Sequence, residues 1–223
     1  MRRLTAATVA LLIGTANPGA ALGPIAFGPG PEAQGWQPLT FRGRTPAQFA
    51  SQGSDTLLIR ADSAVSVLYK TLPRNFAAAQ GASWRWRVDA GVPPTDLGDK
   101  SVDDRSIALY FLFADDAATL DAPPTSLTGA VRKGRALIYV WGGDADRGSV
   151  IRSPQMFGRG QIVVLRGARS SAGEWQSEAV NLRADFARAF GREAGPLMAL
   201  GVSTDSDNSA TRTEAVLSGL TIR

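Results

Sequence analysis

The chain has 223 residues, 44% of them hydrophobic, and it carries a formal net charge of +4. It contains neither cysteine nor histidine, which excludes disulfides, thiolate nucleophiles, Ser-His-Asp triads and the usual histidine-based zinc sites. The apolar content suits a packed globular fold, and no internal repeat or long linker divides the chain. The basic residues are mostly scattered arginines without a polybasic tract, so nucleic acid is not an expected partner. We therefore expect a single domain over residues 22–223.

The first residues have the composition of a secretory signal peptide. A basic head precedes an apolar run at 4–13, and small residues with Pro18 follow it. This is the order of the regions in such a peptide, and the run is shorter than the ~20 residues that a membrane span needs. We expect a signal peptide over residues 1–21, cleaved after Ala21 or after Ala16, and a periplasmic or secreted protein that is not embedded in a membrane. The alternative is an N-terminal membrane anchor.

Short segments with the composition of β-strands occupy much of the remaining chain, and turn residues separate them. They lie at 56–62, 65–72, 82–90, 105–114, 134–142, 160–167, 174–180, 195–204 and 214–222. One helix is expected at 182–190, because Asn181 can cap its start and Gly191 can end it. This pattern predicts an all-β fold, an antiparallel β-sandwich with one short helix near the C-terminal third.

The third predicted strand contains the sequence WRWRV. Successive side chains of a strand point to opposite faces, so Trp84, Trp86 and Val88 share the face that we expect to form the core. Arg85 and Arg87 share the other face. On a concave surface these two arginines can bind carboxylate or sulfate groups of a ligand. On a convex surface they are solvated or paired with acidic side chains.

The segment 105–114 is the strongest strand of the chain, and it is apolar on both faces. A strand buried on both faces lies centrally in its sheet and needs a cover on each side. The opposite sheet is expected to cover one side. The helix that carries Phe186 and Phe190, or a long loop, is expected to cover the other.

The strands and loops carry an ordered set of motifs. They read WRWRV, GDKSVDD before an aromatic-rich strand, IYVWG, GEWQSEAVNLRADFARAFG and GVSTDSDNSA. This set, from Gly35 to the C-terminus, resembles a family of exported bacterial proteins catalogued as domain of unknown function 3047. The resemblance implies a jelly-roll or concanavalin-like sandwich, similar to those of carbohydrate-binding modules and laminarinase-type enzymes. The last strand, EAVLSGLTI, departs from the family pattern because it lacks aromatic and acidic residues near its end.

The loop at 96–105 concentrates four acidic and two basic residues. Neighbouring carboxylates repel each other unless a cation neutralises them, and Lys100 and Arg105 are close in sequence. One interpretation is a ligand site at the mouth of the sandwich that uses Lys100, Asp103 and Asp104, residues within a motif of the resembled family. The alternative is a self-paired loop that fixes the start of the central strand.

A second oxygen-rich run contains Asp205, Asp207 and Asn208 at the end of a predicted strand. Calcium takes six to eight oxygen ligands, and this run supplies about three of them. The spacing is not that of an EF-hand, since the glycine and the distal glutamate are missing. If loops bring Asp103 or Asp104 close, a calcium site becomes feasible. The alternative is a tight turn, for which Asp and Asn are well suited.

Tyr139 and Trp141 lie on one face of their strand, where they either stack on a sugar ring or pack in the core. We expect a non-catalytic carbohydrate-binding domain for a polysaccharide or an envelope glycan, with calcium as the candidate cofactor. The first alternative is a polysaccharide lyase or hydrolase on the same fold, with Tyr139 as the base and Arg85 or Arg87 neutralising a uronate. The second is an envelope protein-interaction domain. No catalytic residue is assigned.

Overall fold

The computed structural model of the protein describes residues 21–223. Its strands are β1 (Gly23–Pro24), β2 (Gln37–Leu39), β3 (Gln48–Gln52), β4 (Thr56–Asp62), β5 (Val65–Thr71), β6 (Gly81–Ala90), β7 (Arg105–Ala114), β8 (Gly134–Trp141), β9 (Val150–Arg152), β10 (Gly160–Arg166), β11 (Gln176–Asn181), β12 (Leu197–Asp205) and β13 (Arg212–Ile222). The α-helices are α1 (Leu127–Arg132) and α2 (Leu182–Phe190). Three 3-10 turns lie at Glu32–Gln34, Arg74–Phe76 and Ala117–Leu120.

The strands form two sheets, which confirms the predicted β-sandwich. The six-stranded sheet has the order β11-β6-β13-β4-β3, with β1 pairing with β13. The seven-stranded sheet has the order β2-β5-β12-β7-β8-β10-β9. Strand pairs are antiparallel except β8 and β10, which run parallel. The predicted signal peptide lies outside the described residues apart from its last position, and none of the described helices is long and apolar enough to cross a bilayer.

Aromatic side chains dominate the core between the sheets. Trp84 and Trp86 project from β6 into it with less than 3% of their surface exposed, as the alternation in WRWRV predicts. The ring of Trp86 lies 5.9 Å from that of Trp141 on β8, with an edge-to-face geometry. Offset and edge-to-face arrangements are those that aromatic rings prefer. The two sheets therefore pack against each other through aromatic as well as aliphatic side chains.

A second apolar cluster covers the outer face of the seven-stranded sheet. Ala108, Tyr110 and Leu112 of β7 belong to it, and Leu127 and Ala130 of α1 pack against them. Of the two expected covers, helix α2 and a long loop, α2 does not lie on this face, whereas loop residues such as Leu97 do pack on it. Helix α2 instead joins the core between the sheets, because Phe186 packs edge-to-face on Phe113 at 5.0 Å. The two-sided burial of β7 is confirmed, but α1 and loops supply the outer cover.

Helix α2 has the ends that its sequence predicts. The side chain of Asn181 accepts a hydrogen bond from the backbone N–H of Ala184 at 3.0 Å. Gly191 ends the helix with φ of 67°, in the left-handed region that suits glycine. The cap satisfies one of the N–H groups that the first turn of a helix otherwise leaves without a partner.

We expect Asn181→Ala to lower the free energy of unfolding by about 1 kcal/mol, because the N-cap acceptor is lost. Urea denaturation followed by tryptophan fluorescence measures this change. Asn181→Asp is the control, since aspartate caps a helix about as well as asparagine. An equal loss of stability in both variants would show that the cap is not the cause.

Candidate ligand cleft

A cleft with a volume of about 600 Å³ lies on the outer face of the seven-stranded sheet. Strands β5, β7 and β12 form its floor, and α1 and four loops form its walls. Its apolar lining residues are Leu39, Phe41, Val65, Val67, Tyr110, Leu127, Val131, Met156 and Phe157. Its polar and charged lining residues are Arg42, Arg44, Lys100, Asp103, Arg105, Thr128, Arg132, Gln155, Arg159, Asp205, Asp207 and Asn208.

Strand pairing brings the two acidic motifs of the sequence to one end of this cleft. Arg105 begins β7 and Asp205 ends β12, and the antiparallel register places these two residues opposite each other. The start of one antiparallel strand lies beside the end of its neighbour. The loop before β7 and the loop after β12 therefore meet, although about a hundred residues separate them in sequence.

Arg105 is the central cation of this end of the cleft. Its side chain is 9% exposed, and Nη1 donates to the backbone oxygen of Asp103 at 2.6 Å and to its Oδ2 at 3.1 Å. Nη2 lies 3.4 Å from Oδ2 of Asp205 and donates to the Tyr110 hydroxyl. Burial opposes the charge of Arg105, but the attraction of Tyr110, Asp205 and Asp103 outweighs it and raises the pKa of the guanidinium above its usual range.

The carboxylates beside Arg105 are buried and close together. One carboxylate oxygen from each of Asp104, Asp205 and Asp207 lies within 4.8 Å of the others. Burial raises the pKa of Asp205 to about 7, against the opposing effect of Arg105. Burial likewise raises the pKa of Asp207, against the opposing effect of Arg44, whose Nη1 lies 3.1 Å from Asp207 Oδ2.

Asp104 joins the two loops through hydrogen bonds. Its Oδ1 accepts from the backbone N–H of Asn208 at 3.3 Å, and its Oδ2 accepts from the backbone N–H of Ser209 at 2.7 Å. The hydroxyl of Ser209 also donates to Oδ2. Asp104 is 0% exposed, so it acts from behind the cleft wall rather than from its surface. Asn208 meets this carboxylate through its main chain.

The structure brings together six residues that the sequence singled out in two separate motifs. They are Lys100, Asp103, Asp104, Asp205, Asp207 and Asn208. Gln155 adds a contact that the sequence did not indicate, since its Nε2 donates to Asp103 Oδ1 at 3.1 Å. The alternative interpretation of residues 96–105 is a self-paired loop. The ion pair between Arg105 and Asp103 shows that the loop is self-paired at its end, where β7 begins.

Arg85 and Arg87 lie far from the cleft, on the outer face of the six-stranded sheet. The ring of Trp175 lies over both guanidinium groups, at 5.1 Å from Arg85 and 5.2 Å from Arg87. Arg87 also forms an ion pair with Asp89, with Nε 2.8 Å from Oδ1. The two arginines do not share a surface with Lys100 or the acidic cluster, so a single site that includes all of them is excluded.

Tyr139 and Trp141 require a correction, because both are core residues with at most 1% of their surface exposed. Neither ring has a free face for a sugar. The hydroxyl of Tyr139 donates to Asp185 Oδ2 at 2.7 Å. Burial, with a further effect of Asp185, raises the pKa of Tyr139 above its usual range, which is opposite to what a catalytic base needs.

Sequence reasoning missed the aromatic residues at the mouth of the cleft. Phe157 is 94% exposed and Phe41 is 40% exposed. Phe157 also has a positive φ of 49°, a backbone conformation that is rare for a bulky residue and is found at sites that clamp ligands. The only signal in the sequence was a lone aromatic residue before Gly158 in a loop.

Comparisons with known proteins assign the chain to a family and give only distant similarities to solved structures. Residues 34–221 match the family described as "Protein of unknown function (DUF3047)", and no curated protein matches the sequence. The xyloglucanase domain of NopAA, a type three effector from Sinorhizobium fredii, is similar over 85% of this chain and 92% of its own, with 8% identity and a TM-score of 0.47. The family 11 carbohydrate-binding module from Clostridium thermocellum is similar over 84% and 88%, with 6% identity and a TM-score of 0.40.

Proposed function

Since this chain belongs to the DUF3047 family, which is described only as being of unknown function, its own cleft is the evidence, and we propose that the protein binds an acidic glycan there. The observation that carries the proposal is an exposed aromatic ring beside an excess of cations. Phe157 projects from the mouth of the cleft with 94% of its surface exposed. A cleft that combines aromatic side chains with a small number of polar and charged groups is typical of ligand sites, and Phe157 lines this one together with Arg42 and Lys100.

The size and lining of the cleft suit a short oligosaccharide. Its volume of about 600 Å³ lies within the range of small-molecule sites, about 300–1,000 Å³. A sugar ring has apolar C–H faces and a polar edge, and the cleft offers both kinds of surface. Phe157 and Phe41 offer exposed aromatic faces, and Gln155 and Asn208 offer side-chain amides.

The charge of the lining favours an acidic sugar over a neutral one. Six basic residues line the cleft against three acidic ones. The three acids are already engaged by Arg105 and Arg44. Arg42, Lys100 and Arg132 form no ion pair with any residue that the structure describes. Exposed arginine and lysine side chains are suitable partners for the carboxylate of a uronate.

We expect an oligogalacturonate to bind the full chain and a neutral gluco-oligosaccharide of the same length to bind much more weakly. At a hundred times its dissociation constant, a ligand stabilises a protein by about 2.7 kcal/mol. For a domain of this size that raises the melting temperature by about 5–10 °C. Differential scanning fluorimetry with both sugars, in calcium-containing buffer, measures the shift, and calorimetry gives the affinity.

Two pairs of variants test whether the sugar binds in the cleft. Phe157→Ala and Lys100→Ala are each expected to weaken binding by about tenfold, which is 1.4 kcal/mol. Trp175→Ala and Lys133→Ala are the matched controls, since these residues are exposed but lie outside the cleft, and both should bind like the parent. Equal effects in a variant and its control would contradict the proposed site. Shortened sugars, or unsaturated products absorbing near 235 nm, would show an enzyme rather than a binding protein.

A further inference from the structure

The charges at the acidic end of the cleft do not balance. Four carboxylates meet there, those of Asp103, Asp104, Asp205 and Asp207. Within the described chain, two arginines form ion pairs with them: Arg105 with Asp103 and Asp205, and Arg44 with Asp207. Asp104 has hydrogen-bond donors but no ion pair. Buried charge of one sign is costly unless a counter-charge is present.

A buried oxygen without a partner lies in the same place. Oδ1 of Asp205 is shielded from solvent and has no hydrogen-bond partner among the described residues, whereas Oδ2 is engaged by Arg105. The Asp205 side chain is only 9% exposed, so bulk water does not satisfy this oxygen. A buried acceptor without a partner costs about 1–3 kcal/mol, and more when it is charged. The excess of carboxylates and the unpartnered oxygen both favour a cation as the ligand of this cluster.

The donor set matches a hard divalent cation. The cluster offers carboxylate oxygens and neither sulfur nor imidazole, which are the donors that zinc and copper prefer. Calcium–oxygen distances are about 2.3–2.6 Å, so two ligands of one ion lie at most about 5 Å apart. The three aspartate oxygens lie within 4.8 Å of one another. Since Asp205 and Asp207 also line the open cleft, water can complete the six to eight ligands that calcium takes.

We propose that Asp104, Asp205 and Asp207 bind a calcium ion at the acidic end of the cleft. The ligand set differs from the set that the sequence suggests. Asp104 is included because one of its carboxylate oxygens lies within 4.8 Å of those of Asp205 and Asp207, whereas the contact between Asn208 and Asp104 is made by the main-chain N–H of Asn208. Each oxygen of a carboxylate has two lone pairs, so Asp104 can accept its hydrogen bonds from the second loop and bind an ion at once. The ion then links the loop before β7 to the loop after β12.

Calcium binding is measured on the full chain after treatment with a chelator and in the absence of any sugar, so that its outcome is independent of glycan binding. We expect CaCl₂ to give a saturable calorimetric signal, and to raise the melting temperature by about 5–10 °C at a hundred times the dissociation constant. MgCl₂ should have a smaller effect, since magnesium requires a tighter octahedral shell. No signal up to about 10 mM CaCl₂, above the weakest extracellular sites, would overturn the proposal.

The variant Asp207→Asn tests the ligand set. Asp207 is the least buried of the three residues, so its replacement by an isosteric amide is the least damaging to folding, and we expect calcium to bind more than tenfold more weakly. Asp121→Asn is the matched control, because Asp121 also pairs with an exposed arginine, Arg74, but lies outside the cluster. Unchanged calcium binding in Asp207→Asn would place the ion elsewhere. A stabilisation of chelated parent protein at lower pH, with no response to calcium, would show that a proton neutralises the cluster instead.

Discussion

Arg105→Ala is expected to lower the free energy of unfolding by about 3–5 kcal/mol, the range for removing one partner of a buried ion pair. The guanidinium is the shared partner of Asp103 and Asp205, and both of these residues are more than 90% buried. Its removal leaves two carboxylates in the interior without their counter-charge. Urea denaturation in calcium-free buffer, followed by tryptophan fluorescence, measures the loss.

Two further variants make this prediction specific. Arg60→Ala removes one partner of an ion pair with Glu214 on the surface, and it should change stability little, because water and salt screen exposed pairs. Arg105→Lys keeps the charge but loses the planar fork that contacts two acids at once, so its stability should lie between those of the parent and Arg105→Ala. If Arg105→Ala and Arg60→Ala have the same free energy of unfolding, the Arg105 guanidinium does not stabilise the acidic cluster.

The second large effect is expected in the strand that carries WRWRV. Trp86→Ala should cost about 3–5 kcal/mol, the range for removing a large aromatic side chain from a core. Trp86 is 0% exposed, and its ring contacts those of Trp84 and Trp141. Its indole N–H also donates to Glu178 Oε1 at 3.3 Å. The variant leaves both a cavity and a weakened polar contact, and thermal or urea denaturation reports their sum.

The neighbouring residue provides the control. Arg85→Ala changes the adjacent position of the same strand but on the outer face, where the side chain contacts the Trp175 ring. An exposed cation–π contact is worth about 0.5–1 kcal/mol, so the loss should not exceed that value. A much larger loss of stability in Arg85→Ala would show that the Arg85 side chain makes stabilising contacts beyond the one with the Trp175 ring. Trp86→Phe should lose less than Trp86→Ala, because part of the core volume is kept.

Local patterns in the sequence predicted the strands whose faces differ clearly. Alternation assigned Trp84 and Trp86 to the core and Arg85 to the surface, because successive side chains of a strand point to opposite faces of the sheet and the apolar face is the buried one. The same rule failed for Tyr139 and Trp141. Their strand, β8, is apolar on both faces. Alternation then shows which residues share a face but does not show which face lies in the core. Only the positions of the neighbouring strands decide that.

Short or weakly patterned elements were not predictable. Helix α1 has six residues, includes a glycine, and is held by packing on β7 and β8 rather than by its own propensity. Strands β3 and β9 have three to five residues, with exposed positions at both ends. The parallel pairing of β8 with β10 is also a non-local property. Nothing in either segment alone indicates which neighbour it takes or in which direction.

The candidate site was predictable in composition but not in assembly. The sequence indicates two pairs of closely spaced carboxylates, which repel each other unless a cation neutralises them. They are Asp103 with Asp104, and Asp205 with Asp207. Their convergence depends on the register between β7 and β12, which no local pattern specifies. The exposure of Phe157 likewise depends on where the loop before β10 lies relative to the cleft. The predicted signal peptide, secretion and periplasmic location remain predictions of the sequence.

The pairing of Arg105 with Asp205 means that the acidic end of the cleft forms only when β7 and β12 are both in place. Its two halves belong to strands that are distant along the chain and adjacent in the sheet, and pairing them carries the entropic cost of closing a long loop. A nascent chain that has not yet reached β12 carries only half of the acidic cluster. A chain truncated before β12 therefore lacks Asp205 and Asp207 and cannot form the acidic end of the cleft.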